Sequence, residues 1–241
     1  MDDPEPFLLN AHIAAGAVSL GAAAIAIAAP KGRRVHRFAG RFFVLAMTVV
    51  FASAVMLSLR TNDLFQLTVA IFSYYMVLSG YRALYLKQPT KSADLRFRAG
   101  ALDKGAAQFT LIACSGLSAY GAVYWYTDLA PVLMILGSIG ALMALLDLRR
   151  FRSASVGPTR WFFTHMIRML GGTIASVTAF MVTNMDMLPP LVRWLGPTLV
   201  GTVAITIWVS VYKARFARGA GPEDVAEVRI VEPSEVDEEE A

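Results

Sequence analysis

Three histidines, His12, His36 and His165, are the side chains of this 241-residue chain whose ordinary pKa lies near neutrality. His12 falls inside the first long apolar run. His36 opens the second, in His36-Arg37-Phe38-Ala39-Gly40-Arg41, and His165 begins a later one, in His165-Met166-Ile167-Arg168-Met169. Together with Arg41, Asp147 and Arg168 they form a polar set embedded in apolar sequence. A charge at mid-bilayer costs about 2.5–3.5 kcal/mol or more, so such groups face a bundle interior or a water cavity and pair with one another.

Three chemistries suit these residue types. Neutral imidazoles at similar depth on different helices can ligate the iron of a b-type haem, which makes His36 and His165 the cofactor candidates. Arg34, Arg37, Arg41 and Arg168 would then be placed to pair its propionates. Thioethers suit Cu(I), and Met181, Met185 and Met187 cluster on the same side as His12. A polar interior around His12 and His165, with Arg41, Asp147 and Arg168 as further polar-site residues, suits binding or transport of a small neutral or anionic ligand past Tyr74, Tyr75 and Gln108. The plainer alternative is that the histidines are hydrogen-bonded packing residues. Carboxylate proton relays need buried Asp or Glu, which the middle of every apolar run lacks. No phosphate-binding glycine loop, HExxH, GxSxG or CxxC is present, so the expectation is a protein without catalytic residues of those kinds.

The elements that must position these residues follow from composition. Hydrophobic residues make up 56% and charged residues 17%, against about 45–50% and about 25% in soluble domains. This excludes a soluble enzyme, and it excludes a nucleic-acid partner despite the net charge of +4. A transmembrane helix needs roughly 20 largely apolar residues. Seven runs meet or approach that, at about 7–29, 38–59, 64–86, 106–126, 129–148, 161–184 and 191–212, the last carrying Pro197 as a helix start or kink. The expected fold is all-α, a seven-helix transmembrane bundle over 7–218, between an acidic segment (1–6) and a disordered acidic tail (219–241). The acidic start and the length of the first run argue for a retained helix rather than a cleaved signal.

Orientation follows from cation asymmetry. With the N-terminus outside and the C-terminus cytoplasmic, 19 Lys and Arg fall in cytoplasmic loops and helix ends against two outside, Arg60 and Arg193, leaving aside Arg229 in the tail. Asp63, Asp128 and Asp186 then occupy outer turns. Tyr124, Trp125, Tyr126 and Trp194 mark the outer interface, and Tyr81, Tyr85, Trp161, Trp208 and Tyr212 the inner one. The loop 87–105 carries five cations, and its Leu95, Phe97, Ala101 and Leu102 suggest either a short amphipathic turn or a solvated loop. Cys114 is a packing residue with no disulfide partner. Helical phase places His12, Gly16, Ser19 and Ala23 on one stripe and His165, Arg168, Gly172, Ser176 and Thr183 on another. Small residues on both let backbones approach, and Gly171-Gly172 reads as a helix-packing pair. Asp147 is the expected carboxylate partner of an inner-leaflet cation.

The pattern His12-x3-Gly16, followed by a basic turn and His36-Arg37-x2-Gly40-Arg41, resembles a family of bacterial membrane proteins known only as a domain of unknown function. The resemblance is clearest over residues 10–60, and Thr164-His165-Met166 and Thr178-Ala179-Phe180 are similar in style. It implies a multi-helix membrane architecture and marks His12, His36 and Arg37 as residues of interest. The Ala-rich helices and the preference for Arg over Lys suit a bacterial inner membrane. The partners expected are the lipid bilayer and either another membrane protein or a second copy of the chain. Three roles are therefore weighed: a small-ligand binder or transporter, a haem redox protein, and an assembly partner.

Overall fold

The computed structural model describes residues 4–86, 99–152 and 159–221. Among them are seven α-helices, each long and apolar enough to cross a membrane. They are α1 (Pro4–Ala28), α2 (Arg34–Thr61), α3 (Leu64–Arg82, continued by a 3-10 turn at Ala83–Tyr85), α4 (Ala101–Val123), α5 (Ala130–Arg152), α6 (Arg160–Asn184) and α7 (Pro190–Ala217). This is the architecture of a multi-pass membrane protein.

Several helices run further than their apolar cores. Helix α2 begins before His36, which therefore sits on the helix and not in the loop. Helix α4 begins at Ala101, so Ala101 and Leu102 are its exposed first residues rather than part of a connecting loop. Leu95 and Phe97 lie outside the described residues, as do Asp2, Asp3 and positions 222–241 of the acidic tail. The acidic segment is shorter than expected, because Pro4 and Glu5 already belong to α1. Helix α7 passes through Pro197 without a break.

Local chemistry sets the ends. Gly32 takes φ 75° in the turn between α1 and α2, and Asn62 takes φ 53° after α2, conformations that Gly and Asn adopt at low cost. The Asp63 carboxylate caps α3 by accepting the Gln66 N–H at 2.9 Å. Pro190 stands in the first turn of α7, where the missing N–H has no intrahelical use. Inside the helices, hydroxyls turn back onto their own backbone: Ser53, Ser58, Thr68 and Thr173 each donate to the carbonyl four residues earlier. That satisfies them where water is absent.

Helix α3 is the hub. It packs on α2, α4, α5 and α6, while α1 pairs with α2 and α4 with α5. Helix α7 packs chiefly on α6 and has no buried residue. One apolar cluster joins α1, α2 and α3 through Ala22, Ala23, Phe43, Met47 and Val77, with Met169 of α6 packed against it. Glycine governs the α3–α6 seam. A Cβ on Gly80 would stand 2.9 Å from Arg168 Cβ, and one on Gly172 would stand 2.5 Å from Val77 Cγ2. Both are closer than side chains pack, so these backbones meet directly.

Gly80→Ala should therefore lower stability by about 1–3 kcal/mol through overpacking. Gly40→Ala, where the added carbon meets nothing within 4 Å, should be neutral or raise it by up to about 1 kcal/mol. Unfolding of the purified protein in detergent measures both.

Candidate functional site

The polar residues converge on the end of the bundle where α1, α3 and α5 finish and α2, α4 and α6 begin. Two clusters lie there, and α3 and α6 contribute to both.

The first is a buried ion pair. Arg168 of α6 approaches Asp147 of α5 with both ends of its guanidinium, Nη1 to Oδ2 at 2.5 Å and Nη2 to Oδ1 at 2.9 Å. Only 8% of the Arg168 side chain and 6% of the Asp147 side chain are exposed. The Tyr75 hydroxyl of α3 donates to Asp147 Oδ2 at 2.7 Å, and Arg150 adds a longer contact to Oδ1 at 3.4 Å. Arg168 also lies over the Tyr75 ring, 5.7 Å from its centroid. Three helices are thereby tied by one carboxylate in the two-pronged geometry that favours Arg over Lys.

A second forked pair stands beside it. Arg82 Nε and Nη2 donate to Asp103 Oδ1 and Oδ2 at 2.7 and 2.8 Å. Asp103 also accepts the Gly100 N–H at 2.9 Å, which closes the first turn of α4. Between the pairs is a cavity of about 40 Å³ lined by Tyr75, Ser79, Arg82, Asp103, Asp147, Thr164 and Arg168, with Leu86, Leu102 and Phe151 as its apolar wall. It has room for water or a small ion before any helix moves.

The second cluster is the histidine pair. His36 and His165 have ring centroids 6.4 Å apart and ring planes at 80°. His36 Nδ1 is 2.9 Å from the Ala26 carbonyl of α1, and His165 Nδ1 is 3.0 Å from the Gly80 carbonyl of α3. A carbonyl only accepts, so Nδ1 carries the proton in each ring, and in the neutral imidazole the lone pair is on Nε2.

The expected pairing of Asp147 with Arg168 is present, and Arg168 faces the bundle interior. The expected grouping of His12 with His165 is not. His12 Nδ1 bonds Ser53 Oγ of α2 at 3.0 Å. Fourteen residues of α1, about 21 Å of helix, separate it from Ala26, where His36 is anchored. Arg41 is exposed and its guanidinium lies beside the Tyr81 hydroxyl, because at the first turns of α2 a long side chain reaches the polar edge more cheaply than the interior. Arg34 and Arg37 are likewise exposed.

Haem between His36 and His165 meets a steric objection. The imidazole spacing suits two axial ligands, but a porphyrin extends on all sides of its iron. The volume one to two turns along the helices is filled by Phe43, Val77 and Met169, and α3 and α6 touch at Gly80. Among the described residues no group of three or more His, Cys, Asp or Glu is placed to hold a metal. Met187, in the thioether cluster, is 87% exposed.

The contacts of two further residues emerge only in three dimensions. Asp103 lay in an apparent loop beyond the apolar core of α4, and its position three residues after Gly100 was the available clue to a helix start. Tyr75 gave no sign of binding a carboxylate 72 positions away. Outside the spans, Lys31 donates to the Ala26, Ile27 and Ala29 carbonyls at the end of α1. It lies 5.6 Å from the Trp208 ring of α7, and burial holds its pKa below the usual lysine value.

Comparison with known proteins gives no relative: no protein-family model, curated protein or solved structure matches the chain.

Tyr75→Phe should keep the ring under Arg168 but remove one donor from Asp147, at a cost of about 1.5–3 kcal/mol for a hydrogen bond to a charged group. Tyr74→Phe removes only a neutral contact with Thr48 (3.1 Å) and should cost about 0.5–1.5 kcal/mol. Side-by-side unfolding curves of the two variants measure the difference.

Proposed function

We propose that this is a multi-pass protein of a bacterial inner membrane, with its N-terminus outside and its C-terminus in the cytoplasm. In this reading it binds or transports a small anionic ligand at the cytoplasmic end of the bundle. The topology is supported by the gathering of cations at one end, since positive loops are retained on the side of synthesis. The ligand reading rests on one observation: two Arg–Asp pairs line one small cavity inside an apolar bundle. Buried charges are expensive in a bilayer and are kept where they line a path or a site.

The charge count decides the class of ligand. Asp147 and Asp103 neutralise Arg168 and Arg82 at the cavity wall, and Arg150, which contacts Asp147 from outside that wall, adds one positive charge nearby. That excess favours an anion or a neutral hydrogen-bond acceptor over a cation. The cavity volume favours a species of a few heavy atoms. His12 belongs to no part of this site, whose centre is the Tyr75–Asp147–Arg168 network.

Purified protein should show a saturable rise in unfolding temperature with at least one of chloride, nitrate, formate, acetate or bicarbonate at constant ionic strength. The rise should shrink in Arg82→Gln and Arg150→Gln. Equal responses to all five salts in the parent and both variants would contradict the ligand reading. A tag at the extreme N-terminus should be cleaved by protease added to intact spheroplasts. Protection of that tag would reverse the topology.

A further inference from the structure

Donors and acceptors are unevenly used on the cavity wall. An ionised carboxylate offers about four lone-pair sites. Asp147 fills its four with two bonds from Arg168, one from Tyr75 and the longer one from Arg150. Asp103 fills three, with two from Arg82 and one from the Gly100 N–H. A guanidinium carries five N–H groups, and each forked contact engages only two of them. Among the hydroxyls, Tyr75 is spent on Asp147 and Ser79 on the Tyr75 carbonyl. Thr164 is the exception. Thr68 and Thr173 return their protons to the carbonyl one turn back, whereas the Thr164 hydroxyl has no partner among the described residues, and Thr164 lines the cavity. The wall therefore has donors to offer and almost no free acceptor.

Building on the reading that this cavity holds a small anion, we propose that it selects an anion that only accepts hydrogen bonds, and that the Thr164 hydroxyl is the donor that sets this preference. Thr164 stands four residues before Arg168 on α6, one turn away on the same face, so a hydroxyl and a guanidinium border the same space. A donor-free anion such as nitrate, formate or chloride offers them acceptors in every direction. Bicarbonate matches nitrate in charge and in number of heavy atoms, but one of its oxygens bears a proton. Beside carboxylates whose lone pairs are nearly all taken, that proton lacks a partner. A hydrogen-bonding group left unmade in an apolar bundle costs more than a made bond returns, which is how such sites reject close analogues. Ligands bearing an amine or a protonated acid are disfavoured for the same reason.

The test titrates the full-length protein in detergent with chloride, nitrate, formate, acetate and bicarbonate at constant ionic strength and mildly alkaline pH, reading affinity from the saturable rise in unfolding temperature. The parent should bind at least one of the four donor-free anions about tenfold or more tightly than bicarbonate, the factor expected of one hydrogen bond involving a charged group. Thr164→Val keeps the shape and removes the hydroxyl, and should weaken that anion by about tenfold while moving bicarbonate much less. Thr164→Ser keeps the donor and should bind as the parent does. The preference is read on the parent itself, so it decides the matter even where Thr164→Val fails to fold. Bicarbonate bound as tightly as every donor-free anion, or an undiminished preference in Thr164→Val, would overturn the proposal and leave the ligand reading standing. No saturable response of the parent to any of the five would overturn both.

Discussion

A guanidinium and a carboxylate that are each more than nine-tenths buried cannot be left unpaired in an apolar bundle. The contact between Arg168 and Asp147 therefore constrains the helices that carry them. Breaking a buried pair on one side costs about 3–5 kcal/mol, because it strands the remaining charge. Here the pair fixes α6 against α5, and Tyr75 extends the same carboxylate to α3. The rotation of each helix about its own axis follows. Once Arg168 faces Asp147, Gly172 lies one turn further along α6 against Val77, and the glycine seam with α3 closes. A transmembrane bundle gains little from hydrophobic exclusion between its helices, so polar contacts and close backbone packing carry its specificity.

The same rotation couples the two clusters. His165 and Arg168 are three residues apart on α6 and so lie on neighbouring faces of one turn. Arg168 reaches toward α5, while His165 reaches the Gly80 carbonyl of α3 and meets His36 of α2. Gly80 takes part on both sides: its carbonyl anchors His165 and its missing side chain makes room for Arg168 Cβ. A shift of α6 relative to α3 would disturb the histidine spacing and the cavity together. Helix α7, without a buried residue and attached mainly to α6, lies outside this network.

How much of this was legible in the sequence depends on the range of the interaction. Seven apolar runs announce seven helices, because hydropathy over about 20 residues is a local property. Their ends were less legible, since α2, α4 and α5 continue into charged flanks where Arg and Asp still find partners. The pairing of Asp147 with a nearby cation followed from scarcity, as few carboxylates lie in or beside the apolar runs. The separation of His12 from His165 was legible in depth, since His12 lies near the start of the first run and His165 near the start of the sixth, which crosses the other way. Both lie on stripes with small residues, but depth along the bundle, not phase, decides whether they meet. Tyr75 was legible as a residue of a ligand path but not as the partner of a carboxylate 72 positions away, and Asp103, an aspartate beyond the apolar run, looked like part of a loop.

The most direct test of the central claim is a double-mutant cycle on Asp147→Asn and Arg168→Gln, read from unfolding free energies in detergent. The buried pair predicts strong non-additivity, with a coupling energy of about 1–3 kcal/mol and the double variant more stable than the two single losses imply. Additivity within about 0.3–0.5 kcal/mol would show that the two side chains do not meet, and the helix rotations derived from their contact would fall with it.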